Sequence, residues 1–176
     1  NRQPSVVSIS ISPNSPTTND FLSCSSSTSD LDGDTVSVTT EWQLNGTVLG
    51  SQNTLQLDAS MVSPQDTVDC VVTATDGQGS PVTSAQSVII LNTNPTIDSI
   101  AFTPNPVYVS DTVTCAVSAS DIDGDVSGQL TIEIQDGQGS ILSSSTGQSS
   151  LSLDLSTTTL TSGDTVSCDT VIQDGY

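Results

Sequence analysis

The two halves of this 176-residue sequence repeat each other. Pro4 opens the run PSVVSISISPNSP and Pro95 opens PTIDSIAFTPNPV; Cys24 answers to Cys115, and DLDGD at 30–34 answers to DIDGD at 121–125, all at an offset of 91. DTVDC at 66–70 answers to DTVSC at 164–168, and Asp76-Gly77 to Asp174-Gly175, at an offset of 98. The second offset exceeds the first by seven, so the second copy carries seven extra residues in mid-domain, expected in the Gly/Ser-rich run from 137 to 150. A period near 90 residues marks an array of small domains, each with its own core. The expected domains are 1–92 and 93–176.

Within each copy the apolar residues alternate with polar ones, the period of a half-buried strand. Val7, Ile9 and Ile11 alternate with Ser; Val36, Val38, Thr40, Trp42 and Leu44 share a face; Leu55 and Leu57 follow, then Val68, Cys70, Val72 and Ala74, and a last strand from about Val82 to Leu91. In the second copy the faces are Val113, Cys115, Val117 and Ala119, then Leu130, Ile132 and Ile134, then Leu151, Leu153 and Leu155, then Val166, Cys168 and Thr170. Abundant Ser and Thr with few strong helix formers point the same way, to an all-β chain with thin cores. Strands at roughly ten-residue spacing predict a β-sandwich of about seven strands per copy.

Charge excludes several functions. Twenty acidic residues stand against one basic residue, Arg2, with no Lys and no His, for a net charge of -19. Nucleic acid and anionic membrane surfaces both require a basic face, so neither is an expected partner. Without Lys there is no Lys–Asn isopeptide crosslink. The longest apolar run, Val88-Ile89-Ile90-Leu91, is far too short to insert into a bilayer. Catalysis has only carboxylates to use, and Glu41 and Glu133 occupy similar outward positions in different domains, so no enzyme is expected.

The acids are clustered. Asp30, Asp32 and Asp34 fall within five residues, and so do Asp121, Asp123 and Asp125. Such carboxylates repel unless something neutralises them, and a loop bent at Gly33 or Gly124 turns alternate side chains towards one point. A hard cation with six to eight oxygen ligands suits that arrangement, which points to calcium; magnesium demands a tighter octahedron. The competing reading is a solvated Asp/Gly turn. An EF-hand is rejected. Its sixth position needs Gly and finds Thr35; its twelfth, Glu41, lies on a strand roughly 23 Å away at about 3.3 Å per residue.

Cys24, Trp42 and Cys70 follow the Cys…Trp…Cys order of the immunoglobulin fold, and EWQLNG at 41–46 resembles the third-strand signature of bacterial extracellular tandem immunoglobulin-like, cadherin-like surface repeats. The second copy keeps both cysteines but has Ile134 near the Trp position. The resemblance implies Cys24–Cys70 and Cys115–Cys168 disulfides joining strands B and F, and with them an oxidising, extracellular or cell-surface location. It places the acidic loops between strands B and C, beside the F–G loops, so that Asp76 is expected to join Asp30, Asp32 and Asp34, and Asp174 to join Asp121, Asp123 and Asp125. A cation at the second site is then expected beside the linker Asn92-Thr93-Asn94-Pro95. It further implies a structural segment of a surface fibre or adhesin stalk, partnered by copies of itself or by further tandem domains. The alternative is an accessory module binding a glycan or protein, for which the sequence offers no aromatic platform.

Two further expectations follow. Asn45-Gly46-Thr47 is a glycosylation acceptor pattern, but the favoured reading is a hairpin turn. The first copy runs past Asp76-Gly77 into a seventh strand. The second is expected to lack that strand within this chain, leaving an edge for a longer tandem chain or a neighbour's strand to fill.

Overall fold

The structure is a computed structural model, and it describes residues 1–124 and 130–175. The chain divides into two compact units, Asn1–Thr93 and Asn94–Tyr176. Each is all-β.

Unit 1 runs β1 (Ser5–Ser12), β2 (Phe21–Ser29), β3 (Ser37–Leu44), β4 (Thr47–Gly50), β5 (Thr54–Gln56), β6 (Thr67–Thr75) and β7 (Val82–Ile89). One sheet is ordered β1-β2-β5 and the other β4-β3-β6-β7, all pairs antiparallel. This is an immunoglobulin-like sandwich whose strands in chain order take the places A, B, C, C′, E, F and G. Alternation does the sorting: β6 buries Val68, Cys70, Val72 and Ala74 completely, while the residues between them stay half-exposed. Trp42 lies in the core opposite Cys70 on the neighbouring strand. The Cys24–Cys70 disulfide joins β2 to β6, and therefore one sheet to the other.

A serine hydroxyl ladder joins β1 to β2. Across β1 and β2 the Oγ atoms of Ser5 and Ser29, Ser8 and Ser27, and Ser10 and Ser25 are hydrogen-bonded at 2.9, 2.7 and 2.8 Å. Cross-strand hydroxyl pairs of this kind support a solvated sheet face without apolar side chains. The turn between β3 and β4 has Asn45 at φ 51° and Gly46 at φ 81°, the left-handed pair that a two-residue hairpin requires.

Unit 2 runs β8 (Thr96–Thr103), β9 (Thr112–Ser120), β10 (Thr131–Asp136), β11 (Ile141–Thr146), β12 (Ser150–Asp154), a 3-10 turn at Leu155–Thr157, and β13 (Val166–Val171). Its sheets are β12-β9-β8 and β11-β10-β13. The extra residues lengthen the hairpin of β10 and β11: β4 has 4 residues where β11 has 6. Ile134 takes the place of Trp42: it is fully buried and lies opposite Cys168 as Trp42 lies opposite Cys70. Cys115 and Cys168 are disulfide-bonded. β13 pairs with β10 along one edge; along the other no strand lies among the described residues. No helix among the described residues is long and apolar enough to cross a membrane.

Candidate metal centre

The DLDGD segment connects β2 to β3. Asp30 accepts hydrogen bonds through Oδ1 from the backbone N–H of Asp32 at 2.8 Å and of Asp34 at 3.3 Å, which curls the loop around its own first carboxylate. Gly33 follows the bend at φ +83°, a backbone region that L side chains rarely enter. The curl brings Asp30, Asp32 and Asp34 together, with one carboxylate oxygen from each lying within 4.8 Å of the others. Two oxygens on opposite sides of a calcium ion, each about 2.4 Å from it, are about 4.8 Å apart. Oxygens that share one ion lie no farther apart than that, so the three carboxylates are close enough to share one.

A second observation bears on the fit. Asp30 Oδ2 is buried and has no hydrogen-bond partner among the described residues. A buried carboxylate oxygen without a donor costs several times what an ordinary hydrogen bond is worth, unless a cation meets it. Asp121 repeats both features. Its Oδ1 accepts from the N–H of Asp123 at 2.6 Å, and its Oδ2 is buried without a partner among the described residues. Gly124 stands at φ +84°, as Gly33 does. Asp125 lies outside the described residues.

Asp76 is at the same end of unit 1 but outside the group of three. Its Oδ1 accepts from the N–H groups of Gln78 at 2.8 Å and Gly79 at 3.2 Å, and its Oδ2 from the side-chain amide of Asn1 at 2.9 Å. The Asn1 bond, then those backbone donors, hold its pKa below the ordinary 3.8. Asp174 is half-buried and lines a cleft of about 420 Å³ together with Asn94 and Pro95, the segment leading into β8.

The N-terminal residues complete the first loop cluster, and sequence reasoning did not find them. The backbone N–H of Arg2 donates to Asp32 Oδ2, and its guanidinium Nε is 4.0 Å from Asp32 Oδ1. Asn1 and Arg2 thus tie the F–G loop to the B–C loop, and the single Arg of the chain sits at the Asp30, Asp32 and Asp34 cluster. The available signal was the repeat itself, since an offset of 91 sets Asn92 against Asn1 as it sets Pro95 against Pro4.

A pH dependence follows. Asp76 has a lowered folded-state pKa, as do Asp58, through the Ser60 hydroxyl, and Asp136, through the N–H of Ser140. A depressed folded value means stability that is complete above the unfolded value and lost as pH falls through the folded one. Urea unfolding should show stability holding at about pH 5 and falling towards about pH 3, and Asp76→Asn should reduce the size of that fall.

Taken together, the molecule belongs to the immunoglobulin-like β-sandwiches by its strand order, carries an inter-sheet disulfide in each unit, and gathers acidic residues in its B–C loops. No family model matches the chain, and no curated protein matches it. Among solved structures, it is similar to the FN1–FN3 domains of chicken CNTN1, at 12% identity over 92% of this chain and 59% of that one, with a TM-score of 0.33. It is also similar to Bacteroides uniformis beta-glucuronidase 3, at 12% identity over 95% of this chain and 24% of that one, with a TM-score of 0.28. The chain thus spans less than two thirds of either structure's length.

Proposed function

We propose that this chain is a non-enzymatic structural repeat of an extracellular surface fibre, filament or adhesin stalk, its sandwiches stiffened by disulfides and by calcium held in the B–C loops. Its partners are copies of itself or further tandem domains. The observation that carries the reading is the Asp30, Asp32 and Asp34 cluster with its buried, donorless Oδ2. In the first unit these three carboxylates hold the ion; in the second Asp121, Asp123 and Asp125 do so, with Asp174 near the segment that enters the domain. Calcium supplies positive charge at a point where three negative side chains converge, and so fixes a loop that repulsion would otherwise open. The disulfides suit an oxidising compartment outside the cell.

Thermal unfolding with calcium and with excess chelator tests this. Calcium at 100 times its dissociation constant stabilises a single site by about 2.7 kcal/mol, so the calcium form should melt several degrees higher. Coincident melting curves would contradict the reading. Electron microscopy of native material tests the assembly: filaments are expected, and isolated particles at every concentration would count against it.

A further inference from the structure

The A–B and E–F loops of the two units are built alike. Thr17 N–H donates to Asp20 at 2.7 Å, and Tyr108 N–H to Asp111 at 2.8 Å. Ser63 N–H donates to Asp66 at 2.8 Å, and Thr161 N–H to Asp164 at 2.7 Å. Leu57 N–H reaches the Asp20 carbonyl at 3.0 Å, and Leu155 N–H the Asp111 carbonyl at 2.9 Å. The two frames differ in what lies between the loops.

In unit 1 the end of the last strand lies there. Ile90 is completely buried; its N–H donates to the Asp66 carbonyl at 2.8 Å and its carbonyl accepts from Gln65 N–H at 2.8 Å. Leu91 N–H donates to the Pro16 carbonyl at 2.7 Å. Beneath, Leu57, Val62 and Val68 are at most 3% exposed. In unit 2 the same place is a cavity of about 580 Å³, lined among others by Val107, Leu155, Leu160, Gly163, Asp164 and Val166. Val107, Leu160 and Val166 correspond to Pro16, Val62 and Val68, yet all three are only partly buried.

We infer that this cavity is the seat of an added β-strand from another polypeptide segment, an extended aliphatic stretch of the Val88–Leu91 type, which completes the second sandwich along the open edge of β13. Unit 1 supplies the register. β7 runs antiparallel to β6 with Val88 opposite Val68 and Gln86 opposite Cys70. The incoming strand therefore runs antiparallel to β13 with the corresponding residues opposite Val166 and Cys168. Its anchor is a large aliphatic side chain at the Ile90 position, inserted between Leu155, Leu160 and Val166. Its backbone bonds go to Gly163 N–H and to the carbonyls of Asp164 and Val107. Main-chain bonding along an exposed edge with a side-chain pocket for specificity is the physics of strand addition. This stands apart from cation binding, because the acidic triad belongs to the B–C loop and the seat to the A–B and E–F loops.

The test adds a labelled synthetic peptide copying residues 82–92, VTSAQSVIILN, to the 176-residue chain and follows fluorescence anisotropy. Saturable binding at one peptide per chain is expected. A peptide with Ile90→Asp should bind roughly 30-fold or more weakly, since it gives up burial of a whole aliphatic side chain. A photo-crosslinker at the peptide's Leu91 position should label Val107 and Tyr108. No saturable binding, equal binding by the Ile90→Asp peptide, or labelling confined to the Pro16–Thr17 segment of unit 1 would each overturn the inference. Calcium should leave the affinity unchanged, so failure here is separable from failure of the metal reading.

Discussion

Replacing Cys24 and Cys70 together by Ala should lower the stability of unit 1 by about 4 kcal/mol. The bridge closes a sequence separation of 46 residues, and chain-entropy treatment of a loop that long gives a loss of that size in the unfolded state. Both sulfurs sit in the core, where Cys24 is 6% and Cys70 0% exposed, so the vacated volume adds to the loss. The core has little to offset it: hydrophobic residues make up 33% of the chain and aromatics 3%. Urea titration followed by tryptophan fluorescence reads the effect, and because the chain has one Trp, at position 42, the signal belongs to unit 1. A shift in midpoint worth less than about 1 kcal/mol would show that the bridge is not what holds the two sheets together.

Trp42→Ala is the second large effect, about 3–5 kcal/mol of lost stability. Trp42 is the largest side chain in a core otherwise made of Leu, Ile, Val and the disulfide, and it is completely buried. Its indole Nε1 has no hydrogen-bond partner among the described residues, so its contribution is packing and area removed from water rather than a polar contact. The companion substitution Ile134→Ala, at the matching place in unit 2, should cost about 2–5 kcal/mol. Calorimetry and circular dichroism measure both, since the first removes the fluorescent probe. Trp42→Ala with near-native stability would mean that the site collapses around the smaller side chain.

What was legible in the sequence follows from what periodicity can carry. Alternation along Val68, Cys70, Val72 and Ala74 determines which face of a strand is buried, and that face is fully buried in the structure. The repeat put Ile134 only near the Trp position, because its offset from Trp42 is 92 where the first offset is 91; the structure is what sets it opposite Cys168. Asp30, Asp32 and Asp34 could be read as convergent because a loop bent at Gly33 has few ways to turn three alternate side chains. Asp76 was not legible in the same way. Its two oxygens choose among nearby donors, and Gln78, Gly79 and Asn1 are closer at hand than the triad. That choice depends on where the first residues of the chain lie, which no local pattern encodes. Nor could spacing alone show that Ile90 and Leu91 are seated by Gln65, Asp66 and the Pro16 carbonyl, since those partners come from two separate stretches of sequence.

Calorimetric titration of calcium into the chain, with Asp30→Asn and Asp121→Asn variants alongside, bears most directly on the claim that converging carboxylates share an ion. Binding in extracellular modules falls in the range of about 10⁻⁴–10⁻³ M, so the titration must reach several multiples of that. Two equivalents taken up by the native chain, with each variant weakening one of them by about tenfold or more, is the predicted result. Heats indistinguishable from dilution, or variants that bind as the native chain does, would contradict it.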